Sequence, residues 1–218
     1  MDYRAEYSSK GFCHVREAVP REVADVLLLL IEKSFGNNPK DFGHTMAAQP
    51  INTKTTIEMY ADKFYPLMTF QWGMTALMSE IAGHPVLPSF GTFRVYQQGD
   101  LCKIHSDRKA CQHSLNITLG YADDIRWGLN IGANRLAEES TGEGRVLDHF
   151  DGEAFSTIEM TPGDAVAYQG VYYRHGRLTA NPNRWSAHFF MNFVDQDGPY
   201  SAHAFDQRKP KAKAEFYF

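Results

Sequence analysis

Short segments bounded by turn residues follow one another along most of the chain after residue 86. Each segment is brief and is flanked by Gly, Asn or Asp, a pattern that favours β-strands joined by turns. Aromatic residues, which favour strands, make up 13% of the chain. The nine predicted strands cover residues 89–97, 101–105, 114–121, 127–132, 145–150, 154–160, 165–169, 171–175 and 184–194. The pattern predicts an antiparallel β-sandwich or barrel.

The region before residue 86 has a different pattern. Residues 11–15 predict a short strand, and Pro20 is suited to open a helix that continues to residue 35. A second helix is predicted over residues 62–81, with Gly83 near its end. Residues 40–60 show no clean period and are expected to form a long loop, of which residues 42–60 are a candidate lid. The helices should therefore flank the strands on one side.

Length and composition limit the protein class. The chain has 218 residues, which predicts a single domain over residues 1–218 with a core at about 10–195 and a polar tail at 196–218. The net charge of −4 argues against a nucleic-acid coat protein, and no apolar run is long enough to span a membrane. The odd count of three cysteines indicates free thiols. Together with the missing secretory signal, this leads us to expect a cytoplasmic protein.

Two His-x-Asp sequences could contribute metal ligands. His105 and Asp107 point to the same side of an extended strand, and so would His149 and Asp151. The second pair lies in a predicted hairpin turn only 24 residues before His175, whereas Asp107 precedes it by 68 residues. The longer span leaves room for several strands. The predicted set is therefore His105, Asp107 and His175, because two His and one carboxylate suit Fe(II) with open positions.

A candidate anion site follows nine residues after His175. Arg184 and Ser186 alternate onto one face of the predicted strand 184–194. A buried arginine there would need a partner, and a dicarboxylate could pair with its guanidinium fork. A strand-end arginine reaching solvent is an equal alternative for Arg184 alone. His188 shares this face and is the main rival to His175 as a ligand.

The order His-x-Asp, distal His and Arg-x-Ser resembles the Fe(II)/2-oxoglutarate-dependent oxygenases. The resemblance extends to Gly11-Phe12 with the following helix, to the stretch 93–101 that precedes His105, and to the turn 161–165. It implies a mainly β fold with flanking N-terminal helices, namely a double-stranded β-helix of the jelly-roll, cupin-like type. It covers roughly residues 10–195.

The resemblance also implies roles for particular residues. His105, Asp107 and His175 would bind Fe(II), with the remaining positions for 2-oxoglutarate and O₂. Arg184 and Ser186 would bind the distal carboxylate of 2-oxoglutarate. Tyr96 would lie near this cosubstrate, with barrel packing as an equal alternative. Arg94 and Asn116 are candidate substrate-binding residues, and ascorbate is a candidate activator.

The resemblance also limits the type of reaction and the class of substrate that we expect. Halogenating relatives have a small residue where this chain has Asp107, so hydroxylation or a related oxidation such as desaturation is expected. Relatives that act on alkylated nucleic acid have a second arginine where this chain has Phe190. We therefore expect a small-molecule substrate oxidised with release of succinate and CO₂, with no nucleic-acid or membrane partner. A homodimer is left open.

Three alternatives remain from the sequence. One is a cupin-like metal-binding protein without oxygenase activity, which needs no Arg184. Another is a hydroxylase of protein side chains. The third is a β-sandwich interaction protein in which His105, Asp107 and His175 never meet.

Overall fold

A computed structural model of the protein describes residues 2–35, 45–47, 49–137, 145–208 and 215. The α-helices of this part of the chain are α1 (Tyr3–Lys10), α2 (Arg21–Phe35), α3 (Tyr65–Gly73) and α4 (Thr75–Ala82). They all precede the long run of strands, as the sequence pattern predicts. None of them combines the length and the apolarity needed to cross a membrane.

The strands form two antiparallel sheets. They are β1 (Phe12–Val15), β2 (Thr45–Ala47), β3 (Thr56–Tyr60), β4 (Val86–Gln97), β5 (Cys102–His105), β6 (His113–Tyr121), β7 (Leu129–Arg135), β8 (Phe155–Ile158), β9 (Ala165–Tyr168), β10 (Tyr173–Arg177) and β11 (Trp185–Asp195). The larger sheet has the order β1-β9-β6-β11-β4-β3-β2, and the smaller has the order β5-β10-β7-β8. The predicted jelly-roll architecture is confirmed.

Alternation along β6 separates the two faces of the larger sheet. Leu115, Ile117 and Leu119 lie in the apolar core together with Leu27 and Ile31 of α2. The intervening residues of β6 are polar and equally buried, and they face the smaller sheet: Ser114, Asn116 and Thr118. The helices therefore cover one face of the larger sheet, while its other face encloses a polar interior with the smaller sheet.

Several predicted elements differ from the structure. The expected loop and lid at 42–60 contains β2 and β3, which extend the larger sheet beyond β4. The predicted helix 62–81 is two helices, because the chain turns at Met74 directly after Gly73. Residues 145–150 form no strand and contribute only an isolated bridge between Ile104 and Leu147. Residues 42–44 and 48 of the expected lid lie outside the described residues.

The first part of the predicted tail packs against the sheets. Residues Ser201–Gln207 form a 3-10 segment in which Ala204 is fully buried. Tyr200 is also buried, in the same apolar cluster as Ala204. This segment follows β11 and lies beside β4. Beyond residue 208, only residue 215 of the predicted tail is among the described residues.

Candidate metal centre

The structure brings His105, Asp107 and His175 together. His105 ends β5 and lies directly opposite His175 of β10 in the antiparallel register, with ring centroids 4.6 Å apart. Asp107 lies two residues beyond His105. Its carboxylate oxygens are 3.6 Å from Nε2 of His105 and 3.4 Å from Nε2 of His175. One possible ligand atom from each residue lies within 4.8 Å of the others.

Backbone carbonyls orient both imidazole rings. Nδ1 of His105 donates to the carbonyl of Lys103 at 2.7 Å, and Nδ1 of His175 donates to the carbonyl of Tyr173 at 3.0 Å. A ring that donates through Nδ1 presents the lone pair of Nε2 to the centre of the cluster. The hydroxyl of Ser114 donates to Asp107 at 3.4 Å. The three side chains are thus held with their ligand atoms turned inward.

The electrostatics of the cluster also suit a cation. Burial and the neighbouring His175 ring lower the pKa of His105 to about 4, so this ring is neutral at pH 7. Burial alone would raise the pKa of Asp107, but His175, His105 and the Ser114 hydroxyl hold it below its ordinary value. Burial likewise opposes protonation of His175, and the Asp107 carboxylate outweighs it and raises that pKa. The cluster offers one negative charge and two imidazoles, a donor set that fits Fe(II).

A second His-His-Asp cluster provides an instructive contrast. Nε2 of His84 and Nε2 of His113 lie 2.5 and 2.7 Å from the same oxygen of Asp195, which are direct hydrogen-bond distances. Ligand atoms about 2.1 Å from a shared ion are separated by about 3.0–3.4 Å. The 3.4–3.6 Å separations around Asp107 are close to that spacing. The barrel cluster therefore has room for an ion, whereas the second cluster is closed by its own hydrogen bonds.

A cavity of about 100 Å³ extends from the His105–His175 pair into the barrel. Arg177, two residues beyond His175 on β10, also lines it and is only 2% exposed. Its guanidinium donates to the carbonyl of Trp127, lies 4.4 Å over the Trp127 ring and is 3.4 Å from Nδ1 of His188. No carboxylate in the described part of the chain forms an ion pair with it. Arg177 is thus a buried cation that forms no ion pair with the described carboxylates, the Asp107 carboxylate of the same cavity included.

Arg94 lines the same cavity but is already neutralised. Its Nε lies 2.6 Å from the buried carboxylate of Glu58, and its guanidinium donates to the hydroxyl of Tyr96 at 3.1 Å. His188 lies near both arginines, and burial together with their charges lowers its pKa well below the ordinary value. Apart from the His105, Asp107 and His175 cluster, the interior therefore holds the two arginines, the Glu58 carboxylate and the neutral His188.

No protein-family model matches the chain, and no curated protein sequence matches it. Among solved structures, the alpha-ketoglutarate-dependent carbocyclase SnoK from nogalamycin biosynthesis is 11% identical, with a TM-score of 0.71 over 89% of this chain and 83% of that chain. A prolyl-4-hydroxylase from Pseudomonas putida is 14% identical, with a TM-score of 0.60 over 88% of this chain and 97% of that chain.

A third structure contains ligands. HygX from Streptomyces hygroscopicus, solved with nickel, 2-oxoglutarate and hygromycin B, is 9% identical, with a TM-score of 0.61 over 88% of this chain and 86% of that chain. The chain has the fold of the 2-oxoglutarate oxygenases. The resemblance inferred from the sequence is thus confirmed for the fold.

Within this oxygenase fold, Arg184 is not where the sequence predicted. Its side chain is 70% exposed, and its Nε pairs with Asp123 at 2.9 Å. β11 begins only at Trp185, so Arg184 precedes the paired strand and turns outward to this acidic residue. Ser186 is buried, but its hydroxyl donates to the side chain of Asn181 at 2.7 Å. Neither residue lines the metal cavity.

The other predicted residues divide into those that reach the cavity and those that do not. Arg94 and Tyr96 line it. Asn116 is fully buried, does not line it, and has no hydrogen-bond partner for its amide in the described chain. His149 and Asp151 are exposed, and Asp151 has a φ of 51° in the predicted turn. These two residues take no part in either histidine cluster.

Sequence reasoning did not identify Arg177. The signal was present, since residues i and i+2 of a strand share a face and Arg177 follows His175 by two. The predicted strand ended at His175, whereas β10 continues to Arg177. A strand prolonged by two residues would have placed the arginine in the barrel.

Proposed function

We propose that this protein is a non-haem Fe(II)- and 2-oxoglutarate-dependent oxygenase that oxidises a small molecule and releases succinate and CO₂. One observation carries the proposal. A two-histidine, one-carboxylate cluster and the unneutralised cation Arg177 face the same buried cavity. A keto acid with a distal carboxylate would satisfy both.

The donor set supports a proposed place for each group. His105, Asp107 and His175 would hold Fe(II), which supplies the O₂-dependent oxidising chemistry when 2-oxoglutarate is bound. The distal carboxylate of 2-oxoglutarate would pair with Arg177, because a guanidinium can donate two parallel hydrogen bonds to a carboxylate. This assignment replaces the sequence-based proposal of Arg184 and Ser186.

The surrounding residues would orient the cosubstrate and exclude water. The Trp127 ring and carbonyl hold the guanidinium of Arg177, which lines the cavity. Neutral His188 lies beside it and adds no further positive charge. Leu129 and Phe190 give part of the cavity wall an apolar surface, which strengthens a carboxylate–guanidinium pair.

The finer parts of the proposal concern the reaction and its setting. Asp107 fills the carboxylate position of the metal set, so hydroxylation or desaturation is proposed rather than halogenation. A small-molecule substrate is favoured because HygX is solved with hygromycin B and a related epimerase, SnoN, with nogalamycin RO.

We propose a single oxygenase domain over residues 1–218. A cytoplasmic location is proposed because all three cysteines are buried and free.

The test measures succinate formed from 2-oxoglutarate in air, with and without Fe(II). The wild type should form succinate only with Fe(II). His105→Ala, Asp107→Ala and His175→Ala should each lose this activity, because each removes one of three ligands. His149→Ala is the matched control, since it removes an exposed histidine from the second His-x-Asp sequence.

Two outcomes would count against the proposal. Full activity in Asp107→Ala would exclude the assigned metal set. Fe(II) binding without any succinate from the wild type would favour the cupin-like metal-binding alternative instead.

A further inference from the structure

The metal cavity cannot by itself hold both a cosubstrate and an organic substrate. Its volume is about 100 Å³, while small-molecule sites usually enclose about 300–1,000 Å³. A second cavity has a volume of about 480 Å³. Phe90 lines both cavities. The second cavity is therefore the candidate site for the body of a substrate that reacts at the metal.

The second cavity has aromatic walls. Trp72 of α3 meets Phe205 edge to face with ring centroids 6.0 Å apart, and Tyr60 lies 6.5 Å from Phe90. Met68 adds a flexible apolar surface. Aromatic and thioether surfaces of this kind favour an apolar body, and flat rings in particular.

The backbone that carries Phe205 is strained. Phe205 has a φ of 55°, and the next two residues, Asp206 and Gln207, have φ values of 52° and 63°. A bulky residue rarely adopts this left-handed conformation, which persists only where the surroundings enforce it. The cavity wall at Phe205 is therefore held in a defined position.

An exposed cation stacks on Phe90, the aromatic residue that lines both cavities. This cation is Arg108, which directly follows the proposed ligand Asp107 and lies 4.0 Å over the Phe90 ring. No carboxylate among the described residues forms an ion pair with Arg108. In contrast, Arg208, which lines the second cavity, is paired with Asp62 at 3.0 Å. Arg108 is thus the cation available to a ligand that lies along Phe90.

We propose that the organic substrate is an apolar, ring-containing carboxylic acid. Its apolar body would occupy the cavity between Trp72 and Phe205, and its carboxylate would pair with Arg108. This inference deepens the proposed oxygenase function by naming the substrate class. The guanidinium of Arg108, which stacks on Phe90, then selects substrates that carry a carboxylate.

The test compares two probes of nearly equal shape, 4-phenylbutyrate and its neutral amide, 4-phenylbutanamide. Binding is followed by tryptophan fluorescence, because Trp72 lies in the cavity wall, and Trp72→Phe should remove the response. Titrations are run on the metal-free protein and again anaerobically with Fe(II) and 2-oxoglutarate, which fill the inner cavity. The wild type should bind the acid about tenfold more tightly than the amide in both states, as expected for one charge-assisted hydrogen bond near solvent.

Variants of three cationic residues test which of them pairs with the carboxylate of the probe. Arg108→Met keeps an apolar stem on Phe90 and should abolish the preference for the acid. Lys109→Ala is the matched control, because it removes the adjacent positive charge and should leave the preference intact. An acid preference that survives in Arg108→Met, or that disappears instead in Arg208→Ala, would overturn the assignment to Arg108. Absence of saturable binding of either probe would overturn the aromatic cavity as the substrate site.

The two proposals fail in distinguishable ways. The metal-free titration involves neither Fe(II) nor 2-oxoglutarate, so its failure would leave the succinate assay untouched. Loss of Fe(II)-dependent succinate formation would in turn contradict the oxygenase function while leaving the charge preference of the cavity measurable.

Discussion

The two interior arginines lie in different electrostatic situations. Arg94 faces the buried carboxylate of Glu58, and both side chains are almost fully enclosed. Arg177 is stabilised by a carbonyl and by the Trp127 ring, neither of which carries a full negative charge. Removing water from a cation is costly unless an opposite charge compensates. One arginine therefore maintains the fold, while the other is available to an anionic ligand.

Glu58→Gln should lower the free energy of unfolding by about 3–5 kcal/mol, because it leaves Arg94 buried without its partner. The measurement is urea unfolding of the metal-free protein. Arg94→Met combined with Glu58→Gln should recover part of this loss, since the double variant buries no unpaired charge. Equal stability of the wild type and Glu58→Gln would contradict the description of Arg94 as a compensated cation.

The clustering of His105, Asp107 and His175 was predictable from the sequence, whereas the position of Arg184 was not, for a local reason. His105 and Asp107 are close in sequence, and the sheet registers His105 against His175. The assignment of Arg184 depended on the residue at which β11 begins. Since pairing starts one residue later, the side chain reaches Asp123 outside the barrel. The alternation of side chains predicts which face of the sheet a residue occupies only where the strand is hydrogen-bonded to its neighbours.

At the scale of elements, Asp195 joins separate parts of the fold. It ends β11 and accepts hydrogen bonds from His113 at the start of β6, from His84 after α4 and from the Gln112 side chain at 2.6 Å. The ring of His113 is also hydrogen-bonded to Tyr7 of α1 at 2.7 Å. Burial would raise the pKa of Asp195, but these partners hold it well below its ordinary value.

Asp195→Asn should reduce stability by about 1–2 kcal/mol at neutral pH, because charge-assisted hydrogen bonds become neutral ones near solvent. A carboxyl whose pKa is lowered in the folded state stabilises it above the unfolded pKa, near 3.8. That contribution is lost as the pH falls through the lower, folded pKa. The difference between wild type and variant should therefore shrink below about pH 4.

Thermal unfolding from pH 7 to pH 2 measures this difference. Asp197→Asn, an exposed aspartate two residues further on, is the control and should behave as the wild type. A difference between the wild type and Asp195→Asn that stays constant across this range would contradict the carboxylate assignment.

Boundaries of elements were less predictable than their order. β3 was expected to be loop because residues 40–60 lack a clean period, yet pairing of Met59 with Phe93 places this strand in the sheet. The break at Met74 follows Gly73, which weakens a helix locally. In both cases, tertiary pairing and packing decided what local sequence preference left undetermined.

At the scale of the whole molecule, the apolar core and the candidate site lie on opposite faces of the larger sheet. The outer face of the larger sheet packs beneath the helices, and the space between the sheets holds the charged groups. Phe90 lines both cavities, of which the inner one is the proposed cosubstrate site and the other the proposed substrate site. The central claim is that the inner compartment binds 2-oxoglutarate between the metal ligands and Arg177.

The most direct measurement is anaerobic titration of the Fe(II)-loaded protein with 2-oxoglutarate, followed by the metal-to-ligand charge-transfer band. The wild type should show a saturable band. Arg177→Gln should weaken 2-oxoglutarate binding roughly 10- to 1,000-fold, as expected for the loss of one or two charge-assisted hydrogen bonds, with nearly unchanged Fe(II) affinity. Arg184→Gln, the matched arginine outside the cavity, should bind as the wild type does. Absence of the band in the wild type, or a band that weakens in Arg184→Gln and not in Arg177→Gln, would contradict this account.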